Sequence, residues 1–190
     1  MMISSEESRT DRMNNIILIG MPGCGKSTVG VVLAKAGGYS FIDSDLVIQE
    51  SEGMLLSEII EQRGLEGFKE TENRINSSIE ADRSVIATGG SVIYGKQAME
   101  HLSAIGVVVY IRLPYEEIAA RLGDLNKRGV SIRPDQTLRE LYDERAPLYE
   151  KYADIIVDEH GMTLSETALF IARKTDEYFS GRSQSDNKQG

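Results

Sequence analysis

Gly20-Met21-Pro22-Gly23-Cys24-Gly25-Lys26-Ser27 fits the pattern G-x-x-x-x-G-K-[ST], and its flanks decide what the match means. Before it, Ile16-Ile17-Leu18-Ile19 is a short apolar run of the kind a buried strand shows. After it, Thr28-Val29-Gly30-Val31-Val32-Leu33-Ala34-Lys35 spaces its apolar side chains as a helix does. A strand, a glycine loop and a helix N-terminus together make an anion trap. Backbone N–H groups converge on a phosphate, and the helix dipole adds a favourable field. In that arrangement Lys26 reaches the terminal phosphates and the Ser27 hydroxyl ligates Mg²⁺. The stretch reads as a nucleoside triphosphate site.

Outward from the loop, short apolar runs alternate with helical patterns. Strands are predicted at 15–19, 40–42, 84–87, 107–113 and 154–157. Helices are predicted at 26–36, 44–51, 56–62, 66–80, 96–102, 115–122, 137–151 and 163–179. Val107-Val108-Val109-Tyr110-Ile111 is apolar without alternation, which a strand covered on both faces requires. Strand–helix alternation implies a parallel sheet with right-handed crossovers. Residues 1–14 read as a polar arm and 180–190 as a disordered tail, leaving 15–179 as a single domain. Residues 123–136 are polar and hold Lys127, Arg128 and Arg133; a loop of that length inside an α/β domain suggests a mobile lid.

Composition narrows the function classes. The 190 residues suffice for one domain with a sizeable core, and 41% hydrophobic with 27% charged residues is a globular profile. Thirty acidic against 21 basic residues give a net charge of −9, which argues against nucleic-acid binding by phosphate neutralisation. No run approaches the ~18 apolar residues of a membrane span. The first fourteen residues lack the apolar centre of a secretory signal. A single cysteine, Cys24, excludes an intrachain disulfide and suits a reducing compartment, so the cytoplasm is the expected location. Near a helix N-terminus its thiolate would be favoured, although a small residue that merely fits the loop is the simpler reading.

Three further clusters carry chemistry. Phe41-Ile42-Asp43-Ser44-Asp45 falls at the carboxyl end of the second strand, where open parallel sheets bind ligands. One carboxylate there can support a Mg²⁺ shell while the other orients or deprotonates a substrate hydroxyl; helix capping is the plainer alternative. Thr88-Gly89-Gly90-Ser91 closes the third strand, and its paired glycines let a ligand approach the backbone. In Glu144-Arg145-Ala146-Pro147-Leu148-Tyr149, Pro147 should disturb or restart the helix, and Arg145 can clamp a carboxylate with two hydrogen bonds. Taken alone, Arg145 is better read as an exposed surface residue.

Together these residues resemble the shikimate kinases, small P-loop kinases related in fold to nucleoside monophosphate kinases. The resemblance covers about residues 15–158. It rests on the phosphate loop with Ser27-Thr28-Val29-Gly30, on Phe41 to Asp45, on the Gly89-Gly90 turn, on Ile132-Arg133-Pro134 and on Arg145 to Tyr149. It implies a three-layer P-loop NTPase fold with a five-stranded parallel sheet of order 2-3-1-4-5, flanked by helices and carrying a lid. The implied reaction is ATP-dependent phosphorylation of the shikimate 3-hydroxyl by a monomer, with ATP and Mg²⁺ as cofactors. By the same resemblance Gly23, Cys24, Gly25, Lys26, Ser27, Thr28, Arg121 and Arg133 would bind nucleotide, and Ser27 and Asp43 would hold the metal. Asp45, Lys69, Gly89, Gly90 and Arg145 would bind substrate, and Lys26, Asp45 and Arg133 would carry catalysis.

The chain departs from the family pattern at three places. Phe68 is followed by Lys69 where the family has Arg, although Glu72 matches the family's acidic position. The turn is Gly89-Gly90-Ser91 rather than three glycines, and Glu159-His160-Gly161 follows the last strand where a basic residue often stacks on adenine. Two departures fall on the substrate side, so another small hydroxylated acid or amino acid is an alternative acceptor. A nucleoside monophosphate kinase and a nucleotide-binding regulator with little catalysis are further alternatives.

Overall fold

The computed structural model describes residues 14–122, 132, 133 and 135–186, and in it the five predicted strands pair into one sheet. β1 (Asn15–Ile19), β2 (Ser40–Asp43), β3 (Ser84–Ala87), β4 (Gly106–Arg112) and β5 (Ile155–Asp158) lie in the order β2-β3-β1-β4-β5. Every pairing is parallel. The central strand β1 is buried along its whole length, which is why its sequence shows no polar alternation. Burying each of Ile16, Ile17, Leu18 and Ile19 stabilises the fold by roughly 1.5–3 kcal/mol. At the opposite end of the sheet from the phosphate loop, buried Asn15 donates to the carbonyls of Ala81 and Ile105 at 2.9 Å and accepts from the Ser84 N–H. One side chain thereby sets the mutual register of three strands.

Among the described residues seven α-helices connect and cover the strands. They are α1 (Lys26–Gly37), α2 (Ser44–Glu52), α3 (Leu56–Asn76), α4 (Lys96–Ile105), α5 (Tyr115–Leu122), α6 (Leu138–Tyr152) and α7 (Leu164–Asp186). α1 and α7 pack on each other, while α4 lies against β1 and β4 and α6 against β4. A second, smaller core of Ile48, Ile59, Phe68 and Ile75 joins α2 to α3 beside the main one. No described helix is long and apolar enough to cross a membrane.

The break predicted between the helices at 56–62 and 66–80 falls at Gly64, whose φ of 70° and ψ of 178° leave the helical region, so α3 is two helices joined at a kink, the second ending at Asn76. Glycine alone makes that excursion inexpensive. Two other expectations need correction. Pro147 does not disturb α6, which runs unbroken from Leu138 to Tyr152. A capping box between Thr137 and Glu140 holds its start, and burial of Leu141 and Tyr149 offsets the usual proline penalty of ~3 kcal/mol. The tail expected to be disordered from 180 is helical through Asp186, because α7 is already nucleated on Ala168, Ile171 and Thr175 and elongation costs little. The polar arm apart from Asn14, the lid apart from residues 132, 133, 135 and 136, and residues 187–190 lie outside the described residues.

Candidate active site

The carboxyl ends of β1, β2 and β3 open onto a cleft of about 560 Å³. Gly23, Gly25, Lys26, Ser27 and Thr28 line one side, and Asp45, Phe68, Glu72, Gly89, Gly90 and Arg145 line the other. The loop is preset for an anion. Gly25 caps α1 at φ 89°, a left-handed conformation that turns successive N–H groups inward. Lys26 is buried, and its ammonium donates to the carbonyls of Gly20 at 2.8 Å and Met21 at 3.0 Å. The charge is thus held over the loop. Cys24 is buried, and burial raises its thiol pKa, so it is a packed neutral thiol.

Asp43 joins the loop to the second strand. Its Oδ2 accepts from the Ser27 hydroxyl at 2.8 Å, and its Oδ1 accepts from the Asp45 N–H at 3.0 Å. Asp43 is therefore itself the N-cap of α2, where Ser44 or Asp45 had been the capping alternative. One carboxylate and one hydroxyl in contact suit Mg²⁺, which keeps several waters and takes its other ligands from phosphate. No group of three or more His, Cys, Asp or Glu able to hold a metal occurs among the described residues. The donor set fits an ion that arrives with a nucleotide.

Two carboxylates face each other across Gly89. A Cβ placed on Gly89 would come within 2.4 Å of Glu72 Oε1 and 2.8 Å of Asp45 Oδ1. Both oxygens are sealed from solvent and have no hydrogen-bond partner. Burial, followed by the charge of Asp43, raises the Asp45 pKa to about 6, with Lys26 opposing. Burial raises Glu72 to about 7, offset mainly by a hydrogen bond from Ser91. The glycine is thus a steric requirement. Gly89→Ala is expected to lower stability by about 1–3 kcal/mol through overpacking against two acids, read as a drop in the urea midpoint.

Arg145 is 1% exposed, which overturns its reading as a surface arginine. Its Nε donates to the Tyr94 hydroxyl at 3.3 Å, its guanidinium lies over the Tyr94 ring, and a Cβ on Gly90 would sit 3.1 Å from Nη1. Tyr149 donates to the Gly90 carbonyl at 2.6 Å, fixing the turn from the far side. The site residues predicted from sequence are only partly gathered here. Lys69 does not line the cleft; its ammonium pairs with Glu66 at 2.8 Å and sits 4.8 Å from the Tyr94 ring centre. Arg133 is exposed and bonded to Glu144 at 3.3 Å, and Arg121 is held by Glu159 at 3.1 Å. Glu144 in turn contacts the Tyr94 hydroxyl, so Arg133 and Arg145 share one polar chain. His160 is exposed and contacts Glu117. The sequence marked Glu72 as a family position and Ser91 as a substrate-side departure but assigned neither a binding or catalytic role. A glutamate in the middle of a helix carries no signal of burial by its spacing, and the Gly89 turn packed against α3 shows that Glu72 is buried.

The family model described as shikimate kinase matches residues 22–175. A shikimate kinase of Thermodesulfovibrio yellowstonii is 36% identical over 173 residues, covering 90% of this chain and 99% of that protein. One of Francisella tularensis subsp. holarctica is 39% identical over 172 residues, covering 86% and 98%. The solved structure of shikimate kinase from Acinetobacter baumannii in complex with shikimate superposes with a TM-score of 0.75 at 31% identity, covering 86% of this chain and 93% of that one.

Proposed function

The chain belongs to the shikimate kinase family, and on that premise we propose that it transfers the γ-phosphoryl group of ATP to the 3-hydroxyl of shikimate. The observation that carries the reading is the cleft itself, where the buried Arg145 guanidinium and the Asp45 carboxylate share the walls with a phosphate loop. Such a floor suits a small ligand that bears a carboxylate at one end and hydroxyls at the other.

In this reading the loop N–H groups and Lys26 hold the β- and γ-phosphates. Ser27 and Asp43 hold Mg²⁺, which when bound offsets charge on the phosphates. Arg145 forks onto the substrate carboxylate, fixed in place by Tyr94. Asp45 accepts a hydrogen bond from the hydroxyl that attacks phosphorus. As the new O–P bond forms and the bond to the ADP oxygen breaks, the hydroxyl proton passes to Asp45. Gly89 and Gly90 let the substrate reach the backbone, and Arg133 closes on the transferring group. Positioning and electrostatics supply nearly all of the acceleration. The net charge of −9 and a single buried cysteine suit a cytoplasmic monomer, which sedimentation checks.

Asp45 acts as a carboxylate, so activity depends on its ionisation. With its pKa raised to about 6, kcat/KM is expected to hold above pH 7 and to fall toward tenfold per unit below 6. A rate profile that stays flat down to pH 5 would remove Asp45 from this role. ³¹P–¹H correlation of the product identifies the phosphorylated oxygen; a phosphate on any oxygen other than the 3-hydroxyl contradicts the assignment.

A second acceptor, another small hydroxylated acid, is favoured by one observation. Lys69 is turned to Glu66 and Tyr94, so the position next to Phe68 adds no planar fork to the cleft. Lys69→Arg is expected to lower the KM for shikimate if shikimate is the substrate. A KM that is unchanged or higher would favour the other acid.

A further inference from the structure

A buried phenol joins the two elements that receive the acceptor. Tyr149 lies on α6 one helical turn after Arg145 and is fully buried. Its hydroxyl donates to the Gly90 carbonyl at 2.6 Å and accepts a hydrogen bond from the Arg145 guanidinium. A guanidinium can only donate and a phenol has one proton, so the chain runs in one direction, from Arg145 through Tyr149 to Gly90. Burial pushes the phenol well above its ordinary pKa, which keeps that proton in place. Tyr149 also stacks on Tyr110, with ring centres 5.0 Å apart and an interplanar angle of 27°. Tyr110 is buried, its hydroxyl has no hydrogen-bond partner, and its ring passes 3.5 Å from the place a Cβ on Gly20 would take. The two rings therefore reach from the acceptor turn to the first glycine of the phosphate loop.

Two restraints result. The Arg145 guanidinium donates through Nε to the Tyr94 hydroxyl at 3.3 Å and also to Tyr149, so turning its plane breaks at least one bond. Both of these partners are neutral phenols, which orient the guanidinium without cancelling its charge. The second restraint falls on the turn. No described peptide bond is cis, so holding the Gly90 carbonyl toward Tyr149 sends the Ser91 N–H the opposite way. A pair of glycines gives the turn little stiffness of its own. A flip of that peptide would put a carbonyl where the N–H stands, the wrong polarity for an anion. We propose that Tyr149 is a positioning residue whose hydroxyl locks the Arg145 guanidinium to the Gly90 peptide, so that both meet the acceptor in one fixed geometry. The role rests on the kinase reading, in which Arg145 and Gly90 receive the acceptor. Tyr149 itself does not line the cleft.

The test sets Tyr149→Phe beside Tyr110→Phe. Each substitution removes one buried hydroxyl from the same stack and keeps both rings, but only the Tyr149 hydroxyl is bonded. Tyr149→Phe is expected to raise the KM for shikimate roughly tenfold, the size of one hydrogen bond to a charged group. The KM for ATP should stay within about twofold and kcat within about threefold, because the lost interaction serves acceptor binding alone. Tyr110→Phe should leave all three within about twofold. Equal rises in both KM values, or equal effects of the two substitutions, would mean a loosened core and overturn the proposal. So would an unchanged shikimate KM in a folded Tyr149→Phe protein. A second measurement needs neither acceptor nor variant. In the assigned ¹H–¹⁵N spectrum of the unliganded wild type, the Arg145 Nη protons should give separate signals, because the guanidinium cannot rotate. Signals averaged by rotation overturn the proposal even if Tyr149→Phe does not fold. Wild-type protein with a locked guanidinium that does not phosphorylate shikimate would sink the acceptor assignment and leave the lock standing.

Discussion

Asp45→Asn is expected to lower kcat for shikimate phosphorylation at least about a hundredfold, the scale of losing a main orienting group, while making the unliganded protein more stable. The first effect follows from replacing the proton acceptor with an amide that accepts poorly and adds a donor where the hydroxyl must point. The second follows from linkage. Asp45 has an ordinary carboxyl pKa of 3.8 when exposed and about 6 in the folded chain, so the native state binds the proton more tightly. The group's contribution to stability is fully present below pH 3.8 and is lost as pH rises through 6, where the buried carboxylate must ionise. Asparagine has no such loss. The variant's advantage should therefore grow between pH 4 and 6 and level off above, reaching about 1–3 kcal/mol. Thermal unfolding at pH 5 and pH 8 reads it. A variant that is inactive because it is unfolded would show the opposite sign, so the two explanations separate cleanly. Near-normal turnover with the fold intact would remove Asp45 from catalysis.

Lys26→Met is expected to cost at least about a hundredfold in kcat, the loss of a preorganised charge aimed at the transferring phosphoryl group. Methionine keeps the length and apolar stem of the side chain and deletes only the ammonium. That ammonium satisfies the carbonyls of Gly20 and Met21 in this structure, so its loss also frees the loop backbone. ATP binding should weaken together with turnover, because the same charge serves the ground state and the transition state. Steady-state kinetics with varied ATP, alongside circular dichroism to confirm folding, checks both. Turnover within threefold of wild type would mean that the loop N–H groups alone carry the phosphates.

Much of this was legible in the chain. β1 and β3 fall on the residues predicted for them, because strands covered on both faces are written as unbroken apolar runs between turn signals. The phosphate loop was equally plain, since its chemistry is local: glycines at left-handed positions and a lysine opening the next helix. The remainder depends on contacts between residues far apart in sequence. Arg145 reads as a surface residue until Tyr94 and the Gly90 turn close around it. Glu72 is one acid among several in α3, and only its approach to Gly89 removes it from water. Lys69 is less legible from sequence than its place beside Phe68 suggests, since its ammonium pairs with Glu66 and faces the Tyr94 ring that Arg145 also faces. Pro147 misled for a related reason: propensity is a local cost of a few kcal/mol, and burial of the same helix exceeds it.

The most direct test is ADP release from MgATP, followed by a coupled assay with and without shikimate, with Asp45→Asn as the control. Strong shikimate-dependent turnover that the substitution abolishes is the expected result. Slow ATP hydrolysis that shikimate leaves unchanged, equal in the wild type and the variant, would contradict the proposed reaction.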